Sequence, residues 1–218
     1  MAATLRTLAW LTATALALAI GLYALRYVEG DPRLFPAGLR SNFQAHPIAF
    51  VAHTTAGGVA LLCAPWQVWA GLRRRRPRLH RWMGRVYVTA CLIGGVAGLR
   101  IAFGTAYGPV AAAGFAALAV IWLTTTTMGF QAARAGDLDR HRAWMLRSTA
   151  LTFAAVTLRL ELTAAVMLRL DFDTAYQAIA WACWLPNLVV AEWWIRTPGR
   201  RRRARRAAAP ATTPSSAG

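Results

Sequence analysis

Six apolar runs, each long enough to cross a lipid bilayer, dominate this sequence of 218 residues. A transmembrane helix needs roughly 20 apolar residues, and 57% of the chain is hydrophobic, more than soluble domains usually contain. The predicted spans are Leu8–Leu25, Pro47–Leu72, Val86–Phe103, Val110–Ala133, Ser148–Leu168 and Ala175–Ile195. The sequence therefore predicts an all-α polytopic membrane protein, with six transmembrane helices in one bundle that forms a single domain over residues 1–196.

The basic residues concentrate at one end of the predicted bundle. All 25 are arginine, and the formal net charge is +17. Nineteen fall on the side that holds both termini, five fall on the other side, and Arg159 falls inside a span. Because cytoplasmic loops carry an excess of basic residues, we expect both termini in the cytoplasm. Arginines that alternate with spans do not form a nucleic-acid-binding face, so we expect them to contact anionic lipid headgroups instead.

The two ends of the chain are expected to differ in structure. The apolar run Leu8–Leu25 is longer than the apolar part of a typical signal peptide, and no clear cleavage site follows it, so we expect a retained helix. Residues 197–218 combine arginines with Ala, Pro, Thr and Ser and have little apolar surface to bury. This composition predicts a disordered, polybasic cytoplasmic tail.

A short basic phrase occurs twice, each time just before an apolar run. It reads HRWMGR from His80 to Arg85 and HRAWMLR from His141 to Arg147. The matched positions place the two histidines at similar depth, as the axial ligands of one b-type haem require. His80 lies six residues before Val86, however, which is ~9 Å outside the apolar core if the helix extends that far. Haem ligation, interfacial anchoring or lipid contact, and binding of another ligand all remain open.

Three ionisable side chains are predicted to lie inside the membrane, in the half away from the termini. His53 lies ~9 Å and Glu161 ~10 Å from the outer ends of their spans, and Arg159 lies slightly deeper. Ionisable groups at such depth are costly unless they are paired or face water, so they are functional candidates. Since Arg159 and Glu161 lie on different sides of one helix, each needs a partner from another helix.

We expect His53 to meet Glu161, and His46, two helical turns earlier, to extend this proton or ligand path outward. The alternative is a polar clamp that only fixes helix packing. A clamp is also the favoured interpretation of Glu192. Gly94 and Gly98 are expected to serve close helix packing, and the hydroxyls of residues 124–127, all threonine, are expected to bond to carbonyls of their own helix.

No recognised catalytic motif occurs in the chain. The three cysteines, Cys63, Cys91 and Cys183, fall within spans and have neither a disulfide framework nor zinc-ligand spacing. The sequence also contains no phosphate loop, dinucleotide fingerprint or nucleophile motif. We therefore predict no catalytic residue and no metal site beyond the iron of the haem, and we do not favour an enzyme.

Several motifs together resemble a family of bacterial predicted membrane proteins in the domain-of-unknown-function series, DUF2306. The motifs occupy residues 53–58, 64–67, 79–87, 140–148 and 152–159, and the resemblance covers about residues 46–194. It implies a multi-pass protein of the bacterial inner membrane and directs attention to His53, His80, His141 and Arg159. It implies no activity.

The chain is also loosely similar to the cytochrome b561 group, whose six helices bind two haems through four histidines on four consecutive helices. Here His46 and His53 share one helix, and the fourth helix has no histidine. The likeness therefore implies at most one bis-histidine haem, at His80 and His141, and one surface haem does not span the bilayer.

Three functional hypotheses follow from these residues. The first is a protein that binds one haem b in a redox or haem-handling role. The second is a small proton-coupled transporter or sensor that uses the outer-half histidine, arginine and glutamate. The third is a membrane scaffold or assembly factor without a cofactor.

Overall fold

A computed structural model of the protein describes residues 2–34 and 37–197, and all regular secondary structure in these residues is helical. The α-helices are α1 Ala2–Leu25, α2 Ala37–Ala45, α3 Pro47–Val68, α4 Ala70–Arg75, α5 Pro77–Ala102, α6 Gly108–Arg134, α7 Leu138–Thr152, α8 Ala154–Met167, α9 Phe172–Ala182 and α10 Leu185–Arg196. Two short 3₁₀-helices, Arg26–Glu29 and Pro32–Leu34, follow α1. Apart from its first residue, the predicted tail at 197–218 lies outside the described residues.

Six segments of the described chain are long and apolar enough to cross a membrane, as the sequence predicts. Spans 1 to 6 are Thr7–Glu29, Pro47–Val68, Pro77–Ala102, Gly108–Arg134, Leu138–Met167 and Phe172–Arg196. The all-α, six-span fold is therefore confirmed. Below, the arginine-rich end is the end of the bundle at residues 69–76 and 135–137, and the opposite end is the one at residues 103–107 and 168–171.

Spans 3 and 5 begin nine and ten residues earlier than the apolar runs predict, at Pro77 and Leu138. Their first turns are basic, so hydropathy does not reveal them as helical. Proline suits a first helical turn because its missing N–H needs no partner there, and the Asp137 side chain caps α7 by accepting from the backbone N–H of Arg140. Both copies of the repeated basic phrase therefore lie inside helices. α5 already begins at Pro77, three residues before His80.

Span 2 ends at Val68, four residues before its predicted end. Trp69 follows with φ −73° and ψ 110°, an extended conformation that interrupts the helix. The short helix α4 then carries the first arginines of the loop between spans 2 and 3.

Spans 5 and 6 are each built from two helices that meet inside the bundle. α7 and α8 meet at Phe153, and α9 and α10 meet at Cys183 and Trp184. Trp184 leaves the helical conformation, with φ −124° and ψ −30°. Pro186, in the first turn of α10, has no N–H with which to continue the hydrogen-bond ladder of α9. The break in span 6 thus has a local cause in the sequence.

A buried network of hydroxyl groups joins spans 3, 4 and 5. The Tyr87 hydroxyl lies 2.9 Å from Ser148 Oγ and 2.7 Å from Thr152 Oγ1. Thr126 Oγ1 lies 2.7 Å from Ser148 Oγ, and Trp122 Nε1–H donates to Thr152 Oγ1 over 2.9 Å. All five side chains are buried.

One assignment of donors and acceptors satisfies every hydroxyl group of this network. The Thr152 hydroxyl donates to the backbone carbonyl of Ser148, so Thr152 Oγ1 accepts from both Trp122 and Tyr87. Tyr87 then accepts from Ser148, and Ser148 accepts from Thr126. The network therefore clamps three spans together without an unsatisfied hydroxyl.

A second clamp holds spans 5 and 6 together at the arginine-rich end. Arg147 forms a bidentate ion pair with Glu192, which also pairs with Arg196 over 3.2 Å. The guanidinium of Arg147 lies 4.6 Å from the ring centre of Trp144. Glu192 thus forms the kind of clamp predicted for it.

Substitution of two threonines in span 4, one outside the hydroxyl network and one inside it, tests the network. The Thr124 hydroxyl bonds to Val120 O of its own helix, as predicted, whereas that of Thr126 bonds to another span. We expect Thr126→Val to lower the free energy of unfolding by ~1 kcal/mol, because it removes an interhelical hydrogen bond. The matched control Thr124→Val changes an exposed side chain in the same way and should change the free energy of unfolding little. Unfolding in mixed micelles measures both, and equal effects of the two substitutions would contradict the clamp.

Candidate functional site

A cavity of about 240 Å³ lies among spans 2 to 6. Its apolar wall includes Phe115, Leu118 and Trp122 of span 4. Its polar and charged side chains include His53 of span 2 and Arg159 of span 5. The structure therefore brings two of the sequence-predicted site residues to one intramembrane cavity.

The cavity touches spans 5 and 6 near the points where the two helices of each span meet. Thr152 and Ala154, on either side of Phe153, line it from span 5, and Cys183 lines it from span 6. Interrupted transmembrane helices are a recurring feature of binding sites in transporters, because irregular backbone is tolerated only where it is buried in protein or lines a cavity. Span 6 has this feature, because Trp184 leaves the helical conformation beside the cavity, whereas Phe153 of span 5 keeps a helical backbone with φ −69° and ψ −13°.

His53 is held against span 3 by two glycines. Its Nδ1–H donates to Gly94 O over 2.8 Å. Because a carbonyl oxygen only accepts, Nδ1 carries the hydrogen of the neutral ring and Nε2 is the acceptor nitrogen. A Cβ at Gly98 would lie only 2.7 Å from Nδ1. The predicted small-residue surface therefore serves helix packing and also seats the histidine ring.

Arg159 has a positive charge without a carboxylate partner in the described chain. One of its terminal N–H groups donates to Ala155 O of its own helix over 2.7 Å. Arg159 forms none of the salt bridges found among residues 2–34 and 37–197. His53 and Tyr27 lie within its electrostatic reach. Since a guanidinium has five N–H donors, most of its donors have no hydrogen-bond partner among the described residues.

Glu161 and His46 lie outside the lining of this cavity. Glu161 lies within electrostatic reach of Cys183, and its Oε2 is buried without a hydrogen-bond partner among the described residues. His46 precedes the first turn of α3 and lines a separate surface groove together with Arg100. No hydrogen bond joins His53 to Glu161 among the described residues, so the expected pairing is not formed; the histidine's one hydrogen bond goes to Gly94 O of span 3.

The two repeated histidines lie near each other at the arginine-rich end. His141 Nδ1–H donates to Gly129 O over 2.8 Å, which leaves its Nε2 as an acceptor. His80 lies within electrostatic reach of His141, and its Nδ1 is buried without a hydrogen-bond partner in the described part of the chain. Neither residue lines the cavity or the surface groove. The matched positions in the sequence thus correspond to a real proximity.

Positive charge accumulates around these histidines. Burial, together with the neighbouring guanidinium groups of Arg142 and Arg74, lowers the pKa of Arg73 below its usual range. Within residues 2–34 and 37–197, no group of three or more His, Cys, Asp and Glu residues is arranged to hold a metal ion. The chemistry that fits this end is therefore that of a group with acidic substituents, or of lipid phosphate.

Several cavity residues have no recognisable signature in the sequence. Trp122, Thr152 and Tyr176 are ordinary components of transmembrane helices, and only the packing of spans 4, 5 and 6 makes them neighbours. One usable signal existed, since Pro186 predicts an interruption in span 6 close to Cys183. That signal identifies a break and not a cavity.

Comparison with known proteins assigns the chain to a family. Residues 50–195, about two thirds of the chain, match the family described as "Predicted membrane protein (DUF2306)". The matched region contains His53, Arg159 and both copies of the basic phrase. No curated protein and no solved structure matches the sequence. The likeness to cytochrome b561 stays a prediction, whereas the motif-based resemblance is confirmed: the chain belongs to the DUF2306 family of predicted membrane proteins.

Proposed function

We propose that the protein binds a small organic anion in the cavity among spans 2 to 6 and acts as a small transporter or sensor. The observation that carries this proposal is Arg159, a cavity-lining residue whose guanidinium bonds within the described chain only to Ala155 O. A charge inside a membrane protein is strongly unfavourable unless it is paired. A bound anion supplies the missing partner.

The walls of the cavity define the rest of the ligand. Phe115, Leu118 and Trp122 offer an apolar and partly aromatic surface, and the cavity, at about 240 Å³, is smaller than a typical drug-sized pocket. A carboxylate can accept two parallel N–H bonds from a guanidinium. A small monocarboxylate with an apolar body therefore fits both features, and benzoate is a suitable probe.

A second candidate function is supported by the proximity of His80 and His141. An imidazole whose Nδ1–H bonds to a backbone carbonyl has its Nε2 oriented for a metal, and His141 has this arrangement through Gly129 O. The surrounding arginines suit the propionates of a haem b. This proposal assigns the arginine-rich end to a redox or haem-handling role and is independent of the cavity.

We also propose that the arginine-rich end faces the cytoplasm and that the protein resides in a bacterial inner membrane. The distribution of arginines, nineteen on one side of the bundle and five on the other, supports this orientation. Exposed arginines such as Arg74 and Arg75 then contact anionic lipid headgroups.

The anion site is tested by benzoate binding to the purified protein in nanodiscs, with the neutral amide benzamide as the matched ligand. We expect Arg159→Gln to weaken benzoate binding about a hundredfold, because loss of a buried ion pair costs about 3 kcal/mol or more. Arg100 lies in the surface groove, so Arg100→Gln should bind benzoate with wild-type affinity. If Arg159→Gln retains wild-type affinity, the anion site is excluded. Benzoate uptake into proteoliposomes then separates a transporter from a sensor.

The haem candidate is tested by the visible spectrum of protein purified from haem-replete cells. Bis-histidine ligation predicts a Soret band that disappears in both His80→Ala and His141→Ala and persists in His46→Ala. A colourless wild-type protein would rule out this role. If haem and Arg159-dependent anion binding are both absent, the scaffold or assembly hypothesis is favoured.

The orientation is tested by fusions after residue 197, beyond span 6. A green fluorescent protein at this position should fluoresce, and alkaline phosphatase should be inactive, because the first matures in the cytoplasm and the second only outside it. The reverse pattern would contradict the proposed orientation.

A further inference from the structure

We propose that His53 takes up one proton when the anion binds, so that the cavity binds proton and anion cooperatively. This coupling rests on the proposed anion site and identifies the proton as the ion that binds together with the anion. Of the side chains predicted to form a proton or ligand path, it assigns the proton to His53, which lines the cavity, and not to Glu161, which lies outside the lining.

The hydrogen bonds of His53 leave one nitrogen available for the proton. Nδ1–H is committed to Gly94 O over 2.8 Å. Nε2 has no hydrogen-bond partner among the described residues, and the side chain lines the cavity. Gly98 lies against the same edge of the ring, since any larger residue there would collide with Nδ1. Proton binding at Nε2 therefore requires no movement of the ring.

Arg159 is the charged group that shares the cavity with His53. The lining of the cavity contains no carboxylate, and span 3 faces the ring with the glycine backbone of Gly94 and Gly98. Glu161 lies outside the lining, within electrostatic reach of Cys183. The other titratable side chains around the pair are neutral at pH 7 in their ordinary state. They are Tyr23 and Tyr27 of span 1, near the guanidinium, and Tyr176 and Cys183 of span 6, in the lining.

The coupling follows from charge balance in a site of low dielectric. A protonated His53 and Arg159 repel each other across the cavity, and this repulsion is stronger than in water. An anion bound beside both side chains removes the repulsion. Because linkage is reciprocal, a proton on His53 must strengthen anion binding by the same factor by which the anion strengthens proton binding.

Proton uptake also offsets the electrical cost of moving the ligand. A monovalent anion carried with one proton adds no net charge to the cavity, so its passage is independent of the membrane potential. If the protein is a transporter, the pair of His53 and Arg159 therefore suits electroneutral symport of a proton and a carboxylate.

The experiment measures benzoate affinity in nanodiscs between about pH 6 and 8, where a carboxylic acid that titrates near pH 4 stays ionised. We expect wild-type affinity to rise as pH falls, with a limiting slope of about tenfold per pH unit for one coupled proton. His53→Gln can still donate an amide N–H to Gly94 O but cannot take up the proton, so its affinity should not vary with pH. His46→Gln, outside the cavity, should behave as wild type.

A second measurement needs no variant. Calorimetric titration of wild-type protein with benzoate in two buffers of different ionisation enthalpy reports the protons taken up with each anion. Uptake approaching one proton is the expected result. A pH-independent affinity with no proton uptake, while binding still depends on Arg159, overturns the coupling and leaves the anion site intact. Absence of Arg159-dependent binding at every pH overturns both.

Discussion

The hydrocarbon interior of a membrane contains no water to bond with polar groups, so every polar group placed there needs a partner within the protein. Most of this bundle obeys that constraint. The Tyr87 hydroxyl lies within hydrogen-bonding distance of Ser148 and Thr152 on span 5, and His53 Nδ1 bonds to Gly94 O. Arg159 stands apart from other incompletely partnered groups, such as Glu161 Oε2, because it lines the cavity and its charge has no carboxylate partner among the described residues. The proposed ligand follows from that exception.

Close contact between spans 2 and 3 and the helix junctions of spans 5 and 6 all lie beside the cavity. Gly94 and Gly98 allow span 2 to approach span 3 closely enough for a histidine ring to reach the backbone. The interruptions near Phe153 and Cys183 lie where spans 5 and 6 line the same space. The site at the arginine-rich end is separate, since His80 and His141 do not line the cavity. The two proposed sites therefore share no residue that lines the cavity.

Hydropathy alone predicted the six spans, because apolar length is set by membrane thickness. It placed the starts of spans 3 and 5 too late, since their first turns are basic although helical. His53 and Arg159 were recognisable in advance because ionisable groups inside a membrane are costly. The sequence did not predict that the two residues share a cavity. It predicted Glu161 as the partner of His53, but the histidine bonds to Gly94 O. Which side chains meet depends on helix rotation and packing, which one sequence does not specify.

The most direct test of the account is the position of a bound anion. A crystal structure of the protein soaked with 4-bromobenzoate locates the bromine by its anomalous scattering. The account predicts one bromine peak beside Phe115, Leu118 and Trp122, with the carboxylate against the guanidinium of Arg159. A bromine peak only in the surface groove beside Arg100, or none at a saturating concentration, would contradict it.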